Sequence, residues 1–154
     1  MSELESSENL IRDNKVNIHD FADVSPKAQL GKGVCVGSGA VVGPDVIIGP
    51  NTWIGPNVII EGKVKIGSNN KIFPGACIGL EPQDLKYNGD PTNVLIGDNN
   101  TFRECVTINK ATEEGEKTII GNNNLLMAYT HIGHNCELGN RIVCLLYTSD
   151  AADE

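Results

Sequence analysis

The sequence predicts an all-β fold, a parallel β-helix in which short strands form a three-sided column. Three observations predict it: an aliphatic residue at every sixth position, glycine or asparagine close to those positions, and a shortage of aromatic residues. Apolar residues make up 40% of the 154-residue chain, whereas aromatic residues make up only 5%. We interpret this imbalance as a narrow core that admits branched aliphatic side chains and excludes rings.

A six-residue repeat extends from residue 18 to residue 138. Counting in sixes from Ile18 reaches an aliphatic residue at every step as far as Ile78, then meets Asp84 and Asp90, and later meets Glu114. A repeat of this regularity indicates an architecture built from stacked units. Between and after the interruptions the same register continues at Ile96, Phe102, Ile108, Ile120, Leu126, Ile132 and Leu138.

Each six-residue unit is predicted to contain one short strand and one corner. The residue two positions before the aliphatic is usually small or branched, as at Ala28, Val34 and Ala40, and alternation of this kind is typical of a strand. Corners such as GPN, GSN and GNN supply residues that tolerate the left-handed backbone region. Three units make a coil, and coils stack about 4.8 Å apart. Residues 16–143 are therefore predicted to form one domain of about seven coils, in which each inward aliphatic contributes roughly 1.5–3 kcal/mol on burial.

Two polar segments interrupt the repeat and are predicted to leave the column as loops. Residues 80–94 contain two prolines and an Asn-Gly turn, and residues 110–117 read KATEEGEK. Loops on a rigid scaffold often carry functional residues. We interpret the second segment, however, as a simple solvated insertion.

Charge and composition exclude several classes of protein. The formal net charge of −8 argues against non-specific binding to nucleic acid or to an anionic membrane. The polar N-terminal segment, residues 1–15, lacks the apolar region of a signal peptide, and no apolar run reaches the roughly 18 residues of a membrane span. Five scattered cysteines without a C-x-x-C pair are typical of reduced thiols. We expect a cytoplasmic protein with no nucleic-acid partner and no membrane insertion.

Two of the three histidines lie in the stretch LLMAYTHIGHN, residues 125–135. His131 precedes the inward Ile132 and His134 follows it by two residues, at a corner, so both are predicted to point outward. Imidazole is suited to proton transfer near neutral pH, but a surface histidine is also commonly inert, and spacing leaves both interpretations open. A metal site would require a third ligand, and His19 is remote in the stack of coils. We therefore expect no metal site.

Three segments carry a specific resemblance: LLMAYTHIGHNCELGNR (125–141), QDLKYNGDPT (83–92) and IGDNNTFRECVTINKAT (96–112). With them, residues 16–143 resemble the UDP-N-acetylglucosamine O-acyltransferases, a family of hexapeptide-repeat acyltransferases. The resemblance implies a left-handed β-helix, against the usual right-handed crossover rule, and a homotrimer with active sites in the clefts between columns.

The implied reaction transfers a 3-hydroxyacyl chain from acyl carrier protein to the 3-hydroxyl of UDP-N-acetylglucosamine, the first step of lipid A biosynthesis, without a cofactor. By the resemblance, His134 is the catalytic general base. Gln83, Asp84, Lys86 and His131 match residues that bind the nucleotide sugar.

One position departs from the family pattern. The family usually has Asp directly after the catalytic histidine, and this chain has Asn135. An asparagine can orient the imidazole but carries no charge. We therefore expect reduced general-base strength at His134.

The six-residue repeat alone would also fit other hexapeptide-repeat proteins. A sister N-acyltransferase of lipid A synthesis is one alternative, but the QDLKY loop favours the O-acyltransferase. A γ-type zinc carbonic anhydrase would require a third histidine near the cleft. A non-enzymatic column that only presents a surface would bind no UDP-sugar and would leave the loop unexplained.

The C-terminal residues depart from the pattern of the family. Residues 144–154 read CLLYTSDAADE and resemble a translated sequencing adapter, so we interpret them as a non-native tail. The family column continues further and ends in a helical domain, which we expect to be missing here. An open parallel edge invites association, so we expect the chain alone to be inactive or weakly active and prone to aggregate.

Overall fold

The computed structural model describes residues 15–145, and every regular element in that range is a short strand. The strands are β1 (Asn17–Ile18), β2 (Asp23–Val24), β3 (Gln29–Leu30), β4 (Cys35–Val36), β5 (Val41–Val42), β6 (Val46–Ile48), β7 (Trp53–Ile54), β8 (Ile59–Ile60), β9 (Lys63–Ile66), β10 (Lys71–Ile72), β11 (Cys77–Leu80), β12 (Asn93–Ile96), β13 (Thr101–Phe102), β14 (Thr107–Asn109), β15 (Lys117–Ile120), β16 (Leu125–Leu126), β17 (His131–Ile132), β18 (Glu137–Leu138) and β19 (Val143–Cys144).

Strands three apart along the chain pair in parallel and form the three faces of the column. The seven-stranded face has the order β1-β4-β7-β10-β13-β16-β19, and two six-stranded faces have the orders β17-β14-β11-β8-β5-β2 and β18-β15-β12-β9-β6-β3. These sheets make six complete coils and the first strand of a seventh. The prediction of an all-β, left-handed parallel β-helix is confirmed.

The inward register forms the core, as the repeat predicts. Ile54, Ile60 and Ile72 are completely buried. In β1, at the start of the described column, Ile18 is 45% exposed. Phe102 is also completely buried, so the interpretation that the core excludes rings is wrong at this position.

The corners use the left-handed backbone conformation that their glycines and asparagines predict. Asn51, Asn69 and Asn99 have φ angles of 60°, 56° and 59°. Cys105 and Tyr129 adopt the same conformation, with φ angles of 60° and 65°, although neither residue type favours it. The geometry of the coil therefore overrides local preference at these two corners.

A ladder of buried asparagines runs through one corner of the column. The backbone N–H of Asn100 donates to Asn70 Oδ1 at 2.9 Å, and Asn100 Oδ1 accepts from the backbone N–H of Asn124 at 3.0 Å. Asn100 Nδ2 donates to the Gly121 carbonyl at 2.9 Å, and Asn124 Oδ1 accepts from Ile142 N at 2.8 Å. These asparagines occupy the second inward position, where the repeat predicts a small or branched side chain. Their amides replace apolar packing with a hydrogen-bonded spine between coils.

The two loops are slightly shorter than the sequence predicts. The first spans residues 81–92, because Leu80 belongs to β11 and Asn93 begins β12. The second spans residues 110–116, because Lys117 begins β15. Both loops return the chain to the register that it left.

The predicted terminal segments fall mainly outside the described residues. Within the described range, Cys144 lies in β19, pairs with Leu126 and packs against the core. Between residues 15 and 145 there is no helix that is long and apolar enough to cross a membrane.

Candidate functional site

The first loop brings Asp84 to the corner that carries His134. His134 follows β17, and its Nε2 atom lies 3.8 Å from Asp84 Oδ2. The two side chains are 40% and 20% exposed, so the imidazole faces outward as predicted. A separation of 3.8 Å is too long for a hydrogen bond, so the contact between the two side chains is electrostatic.

The Asp84 carboxylate is held in place by two donors. Its Oδ1 atom accepts the backbone N–H of Lys86 at 3.0 Å, and its Oδ2 atom accepts the hydroxyl of Thr112 at 3.1 Å. The hydrogen bond from the Lys86 backbone is the main reason that the pKa of Asp84 lies below its ordinary value. Desolvation opposes this shift, whereas Thr112 and the His134 charge favour it. Asp84 is therefore ionised at neutral pH and presents a fixed charge to the imidazole.

The side chain of Asn135 connects the imidazole to the second loop. Its Oδ1 atom accepts the backbone N–H of Thr112 at 3.0 Å and lies 3.4 Å from His134 Nδ1. Its Nδ2 atom donates to Glu116 Oε2, and its backbone N–H donates to the hydroxyl of Thr118 at 3.1 Å. Asn135 has a φ angle of 61°, a conformation that asparagine tolerates.

The second loop is part of the site, so its interpretation as a simple solvated insertion is wrong. Ala111 is completely buried and Thr112 is only 4% exposed. Thr112 contacts both Asp84 and Asn135, and Glu116 contacts Asn135. The available signal was the small Ala-Thr pair that follows strand β14 after a single lysine, although the charged residues beyond it partly hide this signal.

The other predicted site residues are His131, on β17, and Gln83 and Lys86, on the first loop. His131 is exposed on β17, and its Nδ1 atom lies 2.8 Å from the hydroxyl of Thr107 on the neighbouring strand β14. Gln83 and Lys86 are exposed on the first loop. Lys86 contributes its backbone N–H to the site, where it donates to Asp84 Oδ1.

The described residues hold no ready-made metal centre. Between residues 15 and 145, no group of three or more His, Cys, Asp or Glu side chains is arranged to bind a metal ion. His19 follows β1 on the first coil, whereas His131 and His134 lie at β17. A zinc site of the hydratase type would need a ligand from a neighbouring copy.

Replacing Asp84 with Asn is expected to destabilise the protein near neutral pH and to have little effect in acid. The lowered pKa of Asp84 means that its ionised form favours the folded state. That contribution is complete above the unfolded carboxyl pKa of about 4 and is lost as the pH falls through the lower folded value. Urea unfolding of parent and variant between pH 7 and pH 3 measures the difference. Asp84 loses a charge in this variant, so Glu114→Gln, at an exposed position of the second loop, is the matched control. A stability difference that stays constant across this pH range would contradict the prediction.

Comparisons with known proteins agree with the fold. Residues 45–79 match the family described as bacterial transferase hexapeptide (six repeats). An acyl-[acyl-carrier-protein]–UDP-N-acetylglucosamine O-acyltransferase from Thermodesulfovibrio yellowstonii is 48% identical over 127 residues, which cover 82% of this chain and 49% of the relative. The Helicobacter acinonychis protein of the same name is 59% identical over 120 residues, which cover 77% of this chain and 44% of the relative.

A solved structure gives the same result. The UDP-N-acetylglucosamine acyltransferase of Francisella novicida superposes with a TM-score of 0.80 at 44% identity, over 82% of this chain and 46% of that protein. The chain thus spans about half the length of the proteins that it matches. With relatives of this identity over most of its residues, the chain belongs to the acyl-[acyl-carrier-protein]–UDP-N-acetylglucosamine O-acyltransferase family.

Proposed function

We propose that this protein acts in the transfer of a 3-hydroxyacyl chain from acyl carrier protein to the 3-hydroxyl of UDP-N-acetylglucosamine, the first step of lipid A biosynthesis. The single observation that carries the proposal is the accessible His134 Nε2 atom, 3.8 Å from Asp84 Oδ2, in a chain of this family. The pair combines a general base with a charge that stabilises the base after it has accepted a proton.

In the proposed reaction, His134 Nε2 removes the proton of the sugar 3-hydroxyl while the hydroxyl oxygen attacks the thioester carbonyl. The new C–O bond forms, the C–S bond breaks, and the imidazolium returns its proton to the departing carrier thiolate. Asp84 stabilises the imidazolium between these two proton transfers. Each proton and electron pair is accounted for by the two substrates and one histidine, so the reaction needs no cofactor.

The neighbouring residues fit the binding of a nucleotide sugar. The Lys86 ammonium group is exposed and suits the diphosphate, and Gln83 beside it can donate to or accept from a sugar hydroxyl. The His131 ring is oriented by the Thr107 hydroxyl, which leaves its other nitrogen for the ligand. We assign these residues to substrate binding.

We further propose that the protein works as a homotrimer in the cytoplasm. The site lies on the outside of the column, where a neighbouring copy would complete a cleft. No disulfide joins Cys35, Cys77, Cys105 and Cys136, which favours a reducing compartment. Acyl carrier protein is the proposed donor.

Two measurements test the proposed function. Because the chain spans about half the length of its relatives, acyl transfer is measured in a hybrid in which residues 16–143 replace the matching segment of the Thermodesulfovibrio yellowstonii protein. Binding of UDP-N-acetylglucosamine to the 154-residue chain is measured by calorimetry, with UDP-glucose as the control. We expect acyl transfer by the hybrid and tighter binding of the N-acetylated sugar.

Two results would contradict the proposed function. A hybrid that folds and trimerises like the relative, yet releases no thiol from acyl carrier protein, would overturn the proposal. Stoichiometric zinc together with hydration of carbon dioxide would favour the carbonic anhydrase alternative.

A further inference from the structure

We propose that Glu116 is a positioning residue for His134, because its carboxylate fixes the side-chain amide of Asn135, which in turn fixes the imidazole. The consequence for catalysis rests on the proposed function, but the positioning itself does not. Glu116 lies in the second loop, residues 110–116, and its side chain is half-buried beside the site. This loop therefore supplies the charge that the residue after His134 lacks.

The orientation of the Asn135 amide is determined at both ends. The backbone N–H of Thr112 can only donate, so the atom 3.0 Å from it is the amide oxygen. The ionised carboxylate of Glu116 can only accept, so the atom facing it is the amide nitrogen. A flipped amide would place two donors together at one end and two acceptors together at the other.

The fixed amide selects one form of the imidazole. The Asn135 oxygen lies 3.4 Å from His134 Nδ1 and can only accept, which favours a proton on that nitrogen. The proton-free Nε2 atom then lies on the side of Asp84, whose carboxylate at 3.8 Å is too far away to accept a hydrogen bond from that nitrogen. This is the form that a general base requires. Because 3.4 Å is a long hydrogen bond, it depends on the amide being held still.

Glu116 is itself held in the charged state. Its Oε2 atom accepts the backbone N–H of Glu113 at 3.0 Å in addition to the amide of Asn135. The hydrogen bond from Asn135 is the main cause of a pKa below the ordinary value for Glu116, and His134 acts in the same direction. The negative charge expected directly after His134 is therefore present, one side chain further away, and acts through a neutral amide.

Nitrogen NMR of the ring nitrogens tests the inference in the 154-residue chain without any requirement for turnover. The chain has three histidines, so His19→Gln and His131→Gln variants assign the His134 signals. Glu116→Gln removes the charge and allows the amide to flip, and Glu116→Ala removes the acceptor altogether. We expect the ratio of the Nδ1–H form to the Nε2–H form to fall about twofold or more in both variants. Glu114→Gln, an exposed charge change in the same loop, should leave the ratio at its parent value.

A second background separates positioning from general destabilisation. In Asn135→Asp, a carboxylate contacts the imidazole directly, and aspartate tolerates the left-handed conformation at this corner. Adding Glu116→Gln to this background should not lower the tautomer ratio, because it removes the repulsion between two facing carboxylates and supplies an amide that can donate to the new one.

Several results would overturn the inference. One is a parent-like ratio in both Glu116 variants with a folded column by circular dichroism. Another is the same loss of ratio in the Asn135→Asp background. A hybrid that fails to transfer acyl groups would sink the proposed function and leave the tautomer result intact.

Discussion

Replacing His134 with Gln in the hybrid is expected to lower kcat for acyl transfer by about 10²–10⁴-fold, the usual contribution of a general base. Glutamine keeps a polar group of similar reach, but it cannot accept a proton near neutral pH. Its effect on the KM for UDP-N-acetylglucosamine should be much smaller, because the proton is transferred only in the transition state. The measurement is the initial rate of carrier thiol release at several sugar concentrations.

His19→Gln is the matched control for this prediction. The His19→Gln substitution makes the same chemical change on the first coil, far along the column from β17. The control should retain kcat within about twofold, since surface substitutions away from a site are usually near neutral. A His134→Gln hybrid with unchanged kcat would show that another group removes the proton.

The architecture could be predicted in detail because the inward register leaves the chain few choices. Every sixth side chain points at a crowded axis, and a slip of one residue along a strand would turn the aliphatic face outward. Phe102 shows where this reasoning fails, because a period identifies which residues are buried and not how much room each of them has. The six-residue repeat also does not predict the buried asparagines, for a related reason. Their amides compensate one another across coils, so residues such as Asn70 and Asn100, 30 apart in sequence, must be considered together.

The candidate site was predicted only in part. The register placed His134 on the outside, and the interruption at Asp84 showed that the chain had left the core there. The approach of these two side chains depends on how the first loop folds back, and a repeat contains no information about that path. Thr112 and Glu116 were missed for the same reason. Their neighbours are charged and surface-like, and only the folded loop shows that these two residues turn inward to the site.

Replacing Asn100 with Ala is expected to cost roughly 2–5 kcal/mol of stability, because it leaves a buried backbone N–H and a partly buried carbonyl without their hydrogen-bond partner. The substitution removes the acceptor for the backbone N–H of Asn124 and the donor to the Gly121 carbonyl. Asn100 is only 1% exposed, so bulk water cannot replace these bonds freely. The measurement is the midpoint of urea unfolding, together with amide hydrogen exchange at Asn124.

Hydrogen exchange makes this prediction local as well as global. A column of coils gains its stability mainly between nearest neighbours, so lost protection should concentrate at Asn124 and the adjacent coil. Asn88→Ala, in the exposed part of the first loop, makes the same change of side chain and should alter stability by less than about 0.5 kcal/mol. If Asn100→Ala were as mild as Asn88→Ala, the spine would be a by-product of coil stacking. The hydrophobic register would then hold the coils in alignment without it.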